Sequence, residues 1–189
     1  NPARVHRAMR LGAKPLSQHA WVEQGFGAIA MLPSLAQLRS LNEIGASEID
    51  YEVSVNNPFG NGAGIYLRDL ADPSKVRDST VSISPVFADD ATNRERSDFL
   101  HTFRIEAESG WVTAPEAFYT SSNGARFTAR IDASQLAPGL HSTRLLLWDV
   151  DQPQAAGPEI VVPVTVVIPH QVTTGSARDF ESYFACAPG

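Results

Sequence analysis

The sequence predicts a mainly β protein, an antiparallel sandwich or barrel, with a short helical piece ahead of it. Three observations carry this. From Ile49 to Ile168 the apolar residues alternate with polar ones, the period of a half-buried strand. Asn61-Gly62, Asn123-Gly124, Pro138-Gly139 and Gly157-Pro158 divide that region into short runs. No helical stretches alternate with the runs, so a parallel α/β sheet is disfavoured.

Before the change of period, Val5, Ala8, Met9 and Gly12 recur at helical spacing. Pro2 suits the first turn, and Gly12 and Pro15 supply a stop. A second helix is expected from Leu32 to Leu41. Its apolar stripe is Met31, Leu35, Leu38 and Leu41, and Gly45 closes it. The first strand follows, with Ile49, Tyr51, Val53 and Val55 on one face. Gly64 to Asp69 predicts a short second strand after a turn at Asn61-Gly62. Val81, Ile83 and Phe87 predict a third, ending at Pro85. Asp89 to Asp98 is polar and loop-like, with room for one helical turn. Phe99, Phe103 and Ile105, then Trp111-Val112, then Phe118-Tyr119, lie in extended segments. Asn123-Gly124 predicts a hairpin into the strand of Phe127, Ala129 and Ile131. Leu140 to Val150 and Glu159 to Ile168 complete the set. Both Trp111 and Trp148 are expected inside.

The chain has 189 residues, 43% of them hydrophobic, which is enough for one good core. A net charge of -6 argues against broad nucleic-acid binding, which needs phosphate neutralisation. The longest apolar run, Ile160 to Ile168, is strand-length and holds Pro163, so no membrane span is expected. The single cysteine, Cys186, can form neither an internal disulfide nor a Cys-rich zinc site. With no N-x-[ST] acceptor either, the chain leans toward an intracellular setting. The start at Asn1 and the turn-like end Ala187-Pro188-Gly189 predict a piece of a longer protein.

Candidate chemistry is sparse. His141, Ser142 and Asp149 share one predicted strand, where neighbours face opposite sides, so they do not form a nucleophile-base pair. No G-x-S-x-G elbow is present. Asp149 with Asp151, and Asp89 with Asp90, offer oxygen ligands but no calcium-loop pattern. His6, His19, His101, His141 and His170 have no metal-ligand spacing. Gly60 to Gly64 precedes a strand rather than a helix, which fits a hairpin loop and not a phosphate cradle. The aromatic residues Trp111, Trp148, Phe103, Phe118 and Phe127 fit a core better than a ligand platform. Accordingly no catalytic, cofactor-binding or metal residue is assigned, and no cofactor is expected.

An ordered series of short strings adds a resemblance. Gly64-Ile65-Tyr66-Leu67-Arg68-Asp69 comes first, followed by Val81 to Phe87 and by Ser109-Gly110-Trp111-Val112. Leu136 with Pro138-Gly139-Leu140-His141, then Gly157-Pro158 and Val162-Pro163-Val164-Thr165, follow in the same order. Together they resemble the region of the tripeptidyl-peptidase II family that lies after its subtilisin-like catalytic domain. Val5-His6-Arg7-Ala8 and Gly25-Phe26-Gly27 resemble the last helices of that catalytic domain. Phe184 with Pro188-Gly189 resembles the start of the family's next β-domain.

The resemblance implies three parts. Residues 1–45 would be the C-terminal helices of a subtilisin-like domain, 46–169 an immunoglobulin-like β-sandwich, and 170–189 a linker or the start of the next β-domain. It also implies a cytoplasmic serine peptidase that removes tripeptides from N-termini and forms homo-oligomers. The partners would be the catalytic domain upstream and the β-domain downstream, with no nucleic acid and no membrane. The family's serine motif and its matching aspartate and histidine segments are absent here, so no catalytic residue is carried over. The implied role is a non-catalytic scaffold between domains. The alternative is an independent sandwich module that binds protein or carbohydrate. Residues 1–41 are expected to dock poorly, or on a neighbouring copy, without what precedes them.

Overall fold

The computed structural model describes residues 2–45, 49–68, 72, 74–88 and 90–169. The expectations for Asp89, His170, Phe184 and Cys186 lie outside the described residues. The N-terminal periodicity yields α1 (Pro2–Gly12), the single turn α2 (Trp21–Gln24) and α3 (Met31–Glu43). α1 and α3 cross where a Cβ on Gly12 would lie 2.5 Å from the Ser34 Cα. Only a glycine there lets the two backbones meet.

The helices are seated on the sandwich, contrary to the expectation of poor docking. Ala8 and Leu41 are fully buried with Ala156, and Leu11, Leu38 and Ile44 close around them. Ala156 belongs to the turn that joins the last two strands. The apolar stripe of α3 is therefore split. Leu41 is wholly buried at one end, whereas Met31 at the other is 80% exposed. The stripe is longer than the loop it packs on.

Ten strands follow. β1 (Asp50–Asn57), β2 (Gly60–Gly62), β4 (Arg77–Val86), β6 (Val112–Thr113) and β8 (Ala125–Ile131) form one sheet, in the order β2-β1-β4-β8-β6. β3 (Ile65–Leu67), β5 (Leu100–Ala107), β7 (Ala117–Ser121), β9 (Gly139–Asp149) and β10 (Ile160–Ile168) form the other, in the order β3-β10-β9-β5-β7. A short helix, α4 (Asn93–Ser97), is capped by Thr92, whose hydroxyl accepts from the Glu95 N–H. Alternation puts Val55, Val81, Ile83, Phe127 and Ile131 of one sheet against Phe103, Leu145, Leu147, Val162 and Val164 of the other. Phe103 stacks on Phe118 at 6.2 Å, and Phe118 meets Phe127 edge-on at 5.3 Å.

Three local expectations are corrected. The first hairpin turns at Pro58-Phe59, with Asn57 opposite Gly60, so Asn61 and Gly62 lie in β2. Asn123-Gly124 does make a turn, with the Gly124 N–H on the Ser121 carbonyl. It is not a hairpin, because β7 pairs with β5 and β8 with β4. The turn carries the chain from one sheet to the other. Trp148 faces outward under the Arg104 guanidinium at 5.6 Å, because its neighbours Leu147 and Asp149 take the inward positions. Trp111 packs on the core edge, half-buried.

One corner of the sandwich is closed by β3, which runs parallel to β10. At its start a Cβ on Gly64 would lie 2.6 Å from both Pro163 Cγ and the Pro163 carbonyl oxygen. Pro163 has no N–H to pair, and Gly64 has no side chain to hold the strand away. Asn57 of β1 fixes the same corner. Its Nδ2 donates to the Gly64 carbonyl at 2.9 Å, and its Oδ1 accepts from the Tyr66 N–H at 2.8 Å. Gly64→Ala is expected to cost about 1–3 kcal/mol through forced displacement of β3. Gly110→Ala, with nothing near its added Cβ, should stay within about 0.5 kcal/mol. Urea denaturation of the two variants measures the difference.

Candidate functional site

The densest polar cluster among the described residues lies where α1 meets the sandwich. Arg7 sits on the buried side of α1 beside Ala8. Its Nη2 donates to the carbonyls of Ala156 at 3.0 Å and Gly157 at 3.2 Å. Its Nη1 forms an ion pair with Glu159, and both side chains are almost wholly buried, at 4% and 3% exposure. Glu159 is the residue just before β10, and its N–H is fixed on the Leu147 carbonyl.

A second pair stands behind the first. Asp149 ends β9 facing inward, with an ion pair to His101 Nδ1 at 3.2 Å. The Asp151 N–H donates to Asp149 Oδ1 at 2.9 Å. His101 stacks on Phe99 at 4.6 Å, and the Tyr51 hydroxyl lies 3.3 Å from its Nδ1. Three strands, the residue just before β10 and one helix thus contribute to one charged cluster.

The environment shifts each group. Burial pushes the Glu159 carboxyl up to about 7; Arg7 pulls it down and the Asp149 charge adds to the rise. Burial likewise lowers Arg7 against the attraction of Glu159. The hydrogen bond to Asp149 holds the His101 imidazole above its ordinary value, against its burial. Burial alone would raise Asp149; the hydrogen bonds from His101 and from the Asp151 N–H outweigh it and hold the carboxyl low. Burial, with the charges of Glu159 and Asp149, keeps the Tyr51 phenol protonated. The cluster has the character of a structural lock: its polar groups face one another across the joint.

The residues weighed in the sequence are not brought together. His141 and Asp149 stand eight positions apart on β9, about 26 Å along the strand. His141 contacts the Ala137 carbonyl at 2.7 Å instead. Ser142 lies opposite Thr165. Asp90 is exposed, and Asp151 reaches Asp149 through its backbone rather than its carboxylate. Among the described residues no three His, Cys, Asp or Glu side chains gather as metal ligands. Sequence reading missed Arg7, His101 and Glu159 as a group. The available signals were a charge on the apolar face of α1 and an acid directly before the most apolar run.

A model of the "Tripeptidyl-peptidase II, first Ig-like domain" matches residues 49–167. The chain belongs to the tripeptidyl-peptidase II family. Tripeptidyl-peptidase 2 of Drosophila melanogaster is 30% identical over 173 residues, 90% of this chain and 12% of the fly protein. That of Arabidopsis thaliana is 28% identical over 127 residues, 65% of this chain and 9% of the plant protein. A crystal structure of tripeptidyl peptidase 2 superimposes with a TM-score of 0.79 at 25% identity, over 93% of this chain and 14% of the solved one. The immunoglobulin-like sandwich is therefore that of the family, and the chain spans a small part of these relatives. The domain match begins at residue 49. Arg7 lies before it and Glu159 inside it, so their ion pair crosses its boundary.

Two measurements probe the joint. Arg7→Met strands a buried carboxylate and is expected to cost about 3–5 kcal/mol where Glu159 is charged, with much of the loss recovered in Arg7→Met/Glu159→Met. Urea denaturation above pH 8 or so, where Glu159 is ionised, reads it out. The second measurement is pH itself. Glu159 and His101 bind protons more tightly when folded, so their contribution is complete at low pH and is lost as pH rises. Glu159 loses it between 4.5 and about 7, and His101 above 6.5. Asp149 acts in the opposite sense, only as pH falls below its ordinary 3.8. The urea midpoint is expected to fall between about pH 5 and pH 8, and to fall less in Glu159→Gln.

Proposed function

We propose that this chain is a non-catalytic scaffold that couples the catalytic domain of a tripeptidyl-peptidase II-type serine peptidase to the domains after it. The observation that carries this reading is the buried Arg7–Glu159 pair, which ties the helices to the sandwich across the boundary of the matched domain. One side of the helical piece is thereby committed to the sandwich. Its other side is apolar and open: Ile29 is 65%, Met31 80% and Leu32 81% exposed. Large apolar residues grouped in this way mark a contact surface.

On this reading residues 1–45 close a subtilisin-like domain upstream, 46–169 form the scaffold, and 170–189 lead into a further β-domain. The parent would remove tripeptides from free N-termini in the cytoplasm, as a homo-oligomer. The support is membership of the family and the identity to tripeptidyl-peptidase 2. Among the described residues no helix is long and apolar enough to cross a membrane.

The 189-residue chain should release no product from a tripeptidyl fluorogenic substrate and take no label from an active-serine probe. Leu32→Glu should leave its urea midpoint within about 0.5 kcal/mol of the parent chain, as expected for an exposed position. Placed in the longer peptidase, the same substitution should lower tripeptidyl release, because it puts a charge into the contact with the catalytic domain. Turnover by the isolated chain, or an unaffected longer enzyme, would sink the proposal.

A further inference from the structure

The gap between β1 and β10 is filled along only part of its length. β3 occupies one half, pairing with Val164, Thr165 and Val166 and held to β1 by Asn57. Alongside Ile160 to Pro163 no described strand lies on the side away from β9. On the facing wall β2 pairs with β1 only from Val55 onward, so Asp50 to Ser54 are likewise open on that side. A cleft of about 510 Å³ occupies this second half, roofed by Trp21, Val22 and Phe26 and bounded by Tyr51, Val53 and Val161.

The backbone in this cleft faces the opening. Pro85 lies opposite Tyr51 and has no N–H, so the two cannot exchange ladder hydrogen bonds. Tyr51 and Val53 therefore turn their polar groups away from β4, into the cleft. The Tyr51 N–H is taken by Asp50 Oδ1, but the N–H and C=O of Val53 meet no strand. On the other wall, the Glu108 N–H takes the Arg144 carbonyl on the β5 side of β9. Pro163, opposite Arg144, and Val161, two residues back, must then face away from β9. The filled half already shows that an extended chain fits between these walls.

The cleft also carries an uncommitted charge. Arg144 is engaged, bound to Glu108 through two nitrogens and stacked on Trp21 at 3.6 Å. Arg10 is not: its guanidinium lies 5.8 Å over Phe26 and makes no ion pair among the described residues. Asp50, which lines the same cleft, accepts the Tyr51 N–H and makes no ion pair with Arg10 among the described residues. From Ile160 to Pro163 the open edge spans about 10 Å, room for three or four extended residues.

We propose that this open half-slot binds an extended peptide that continues the line of β3, lays apolar side chains on Trp21 and Phe26, and sets a carboxylate against Arg10. Backbone pairing with Val53 and Val161 supplies the binding, and Arg10 selects acidic over basic peptides. The occupant is a separate short peptide of apolar-acidic composition.

The test uses the isotope-labelled 189-residue chain and three capped tetrapeptides: Leu-Val-Leu-Glu, its Leu-Val-Leu-Lys counterpart, and the acidic peptide with N-methylated backbone. The acidic peptide should shift the Val53 and Val161 amides, the lysine peptide should bind roughly tenfold more weakly, and the N-methylated one should not bind. Arg10→Gln should remove the preference for the acidic peptide. Val161→Pro deletes an N–H that β9 does not use and should abolish binding with a dispersed amide spectrum retained. If that variant unfolds, the N-methylated peptide on the unmodified chain decides the same point. Equal binding of acidic and basic peptides, shifts confined to other residues, or no binding up to about 5 mM each overturn the proposal.

Discussion

The buried ion pair between Arg7 and Glu159 is the constraint on which the arrangement of the chain depends. A guanidinium taken out of water needs a counter-charge and filled donor positions. Here a carboxylate and two carbonyls of one loop provide both. Those acceptors exist only when the β9–β10 connection is folded, so α1 cannot settle there until the sandwich is formed. The small apolar cluster of Ala8, Leu41 and Ala156 then adds contact area around a geometry that the ion pair has fixed. A short helix pair with so little buried surface would otherwise be marginal.

Behind that pair the second one, Asp149 with His101, keeps the interior charge balanced. The Asp149 charge raises the cost of ionising Glu159, and the two cations, Arg7 and His101, offset it. A cluster of this kind contributes modestly to net stability but strongly to geometry, since a misplaced helix would leave charges buried and unmatched. This suits a joint between the helices and the sandwich, where orientation matters more than the strength of attachment. It also explains why the strand ends that meet here carry polar residues at inward positions, where the rest of the sandwich carries valine, leucine and phenylalanine.

The corner closed by β3 is solved by backbone rather than by charge. Gly64 and Pro163 allow β3 to close on β10, and the Asn57 amide ties it to β1. Gly64 and Pro163 lie in two of the strings that carry the resemblance to the family, far apart in sequence and in contact in space. The closure is incomplete because β3 has only three residues. The same device that seals half of the slot leaves the other half open.

Much of the fold was legible in the chain itself. Alternation at Tyr51 to Val55, Phe127 to Ile131 and Leu145 to Leu147 set the strands and their inward faces, because a strand has a period of two whatever it pairs with. Helical spacing from Val5 to Gly12 set α1 for the corresponding reason. The ordered strings identified the family. Tertiary structure decided what depends on pairing. Asn123-Gly124 specifies a tight turn, but whether the turn joins neighbours or changes sheets follows from which strands are already occupied. Trp148 looked like core because it is large and apolar, yet the parity of β9 gave the inside to Leu147 and Asp149. Arg7, His101, Asp149 and Glu159 are spread over more than 150 positions, and a local pattern holds no trace of their meeting. Their shared burial is a property of the packed layers, and so is the open half of the slot between β1 and β10.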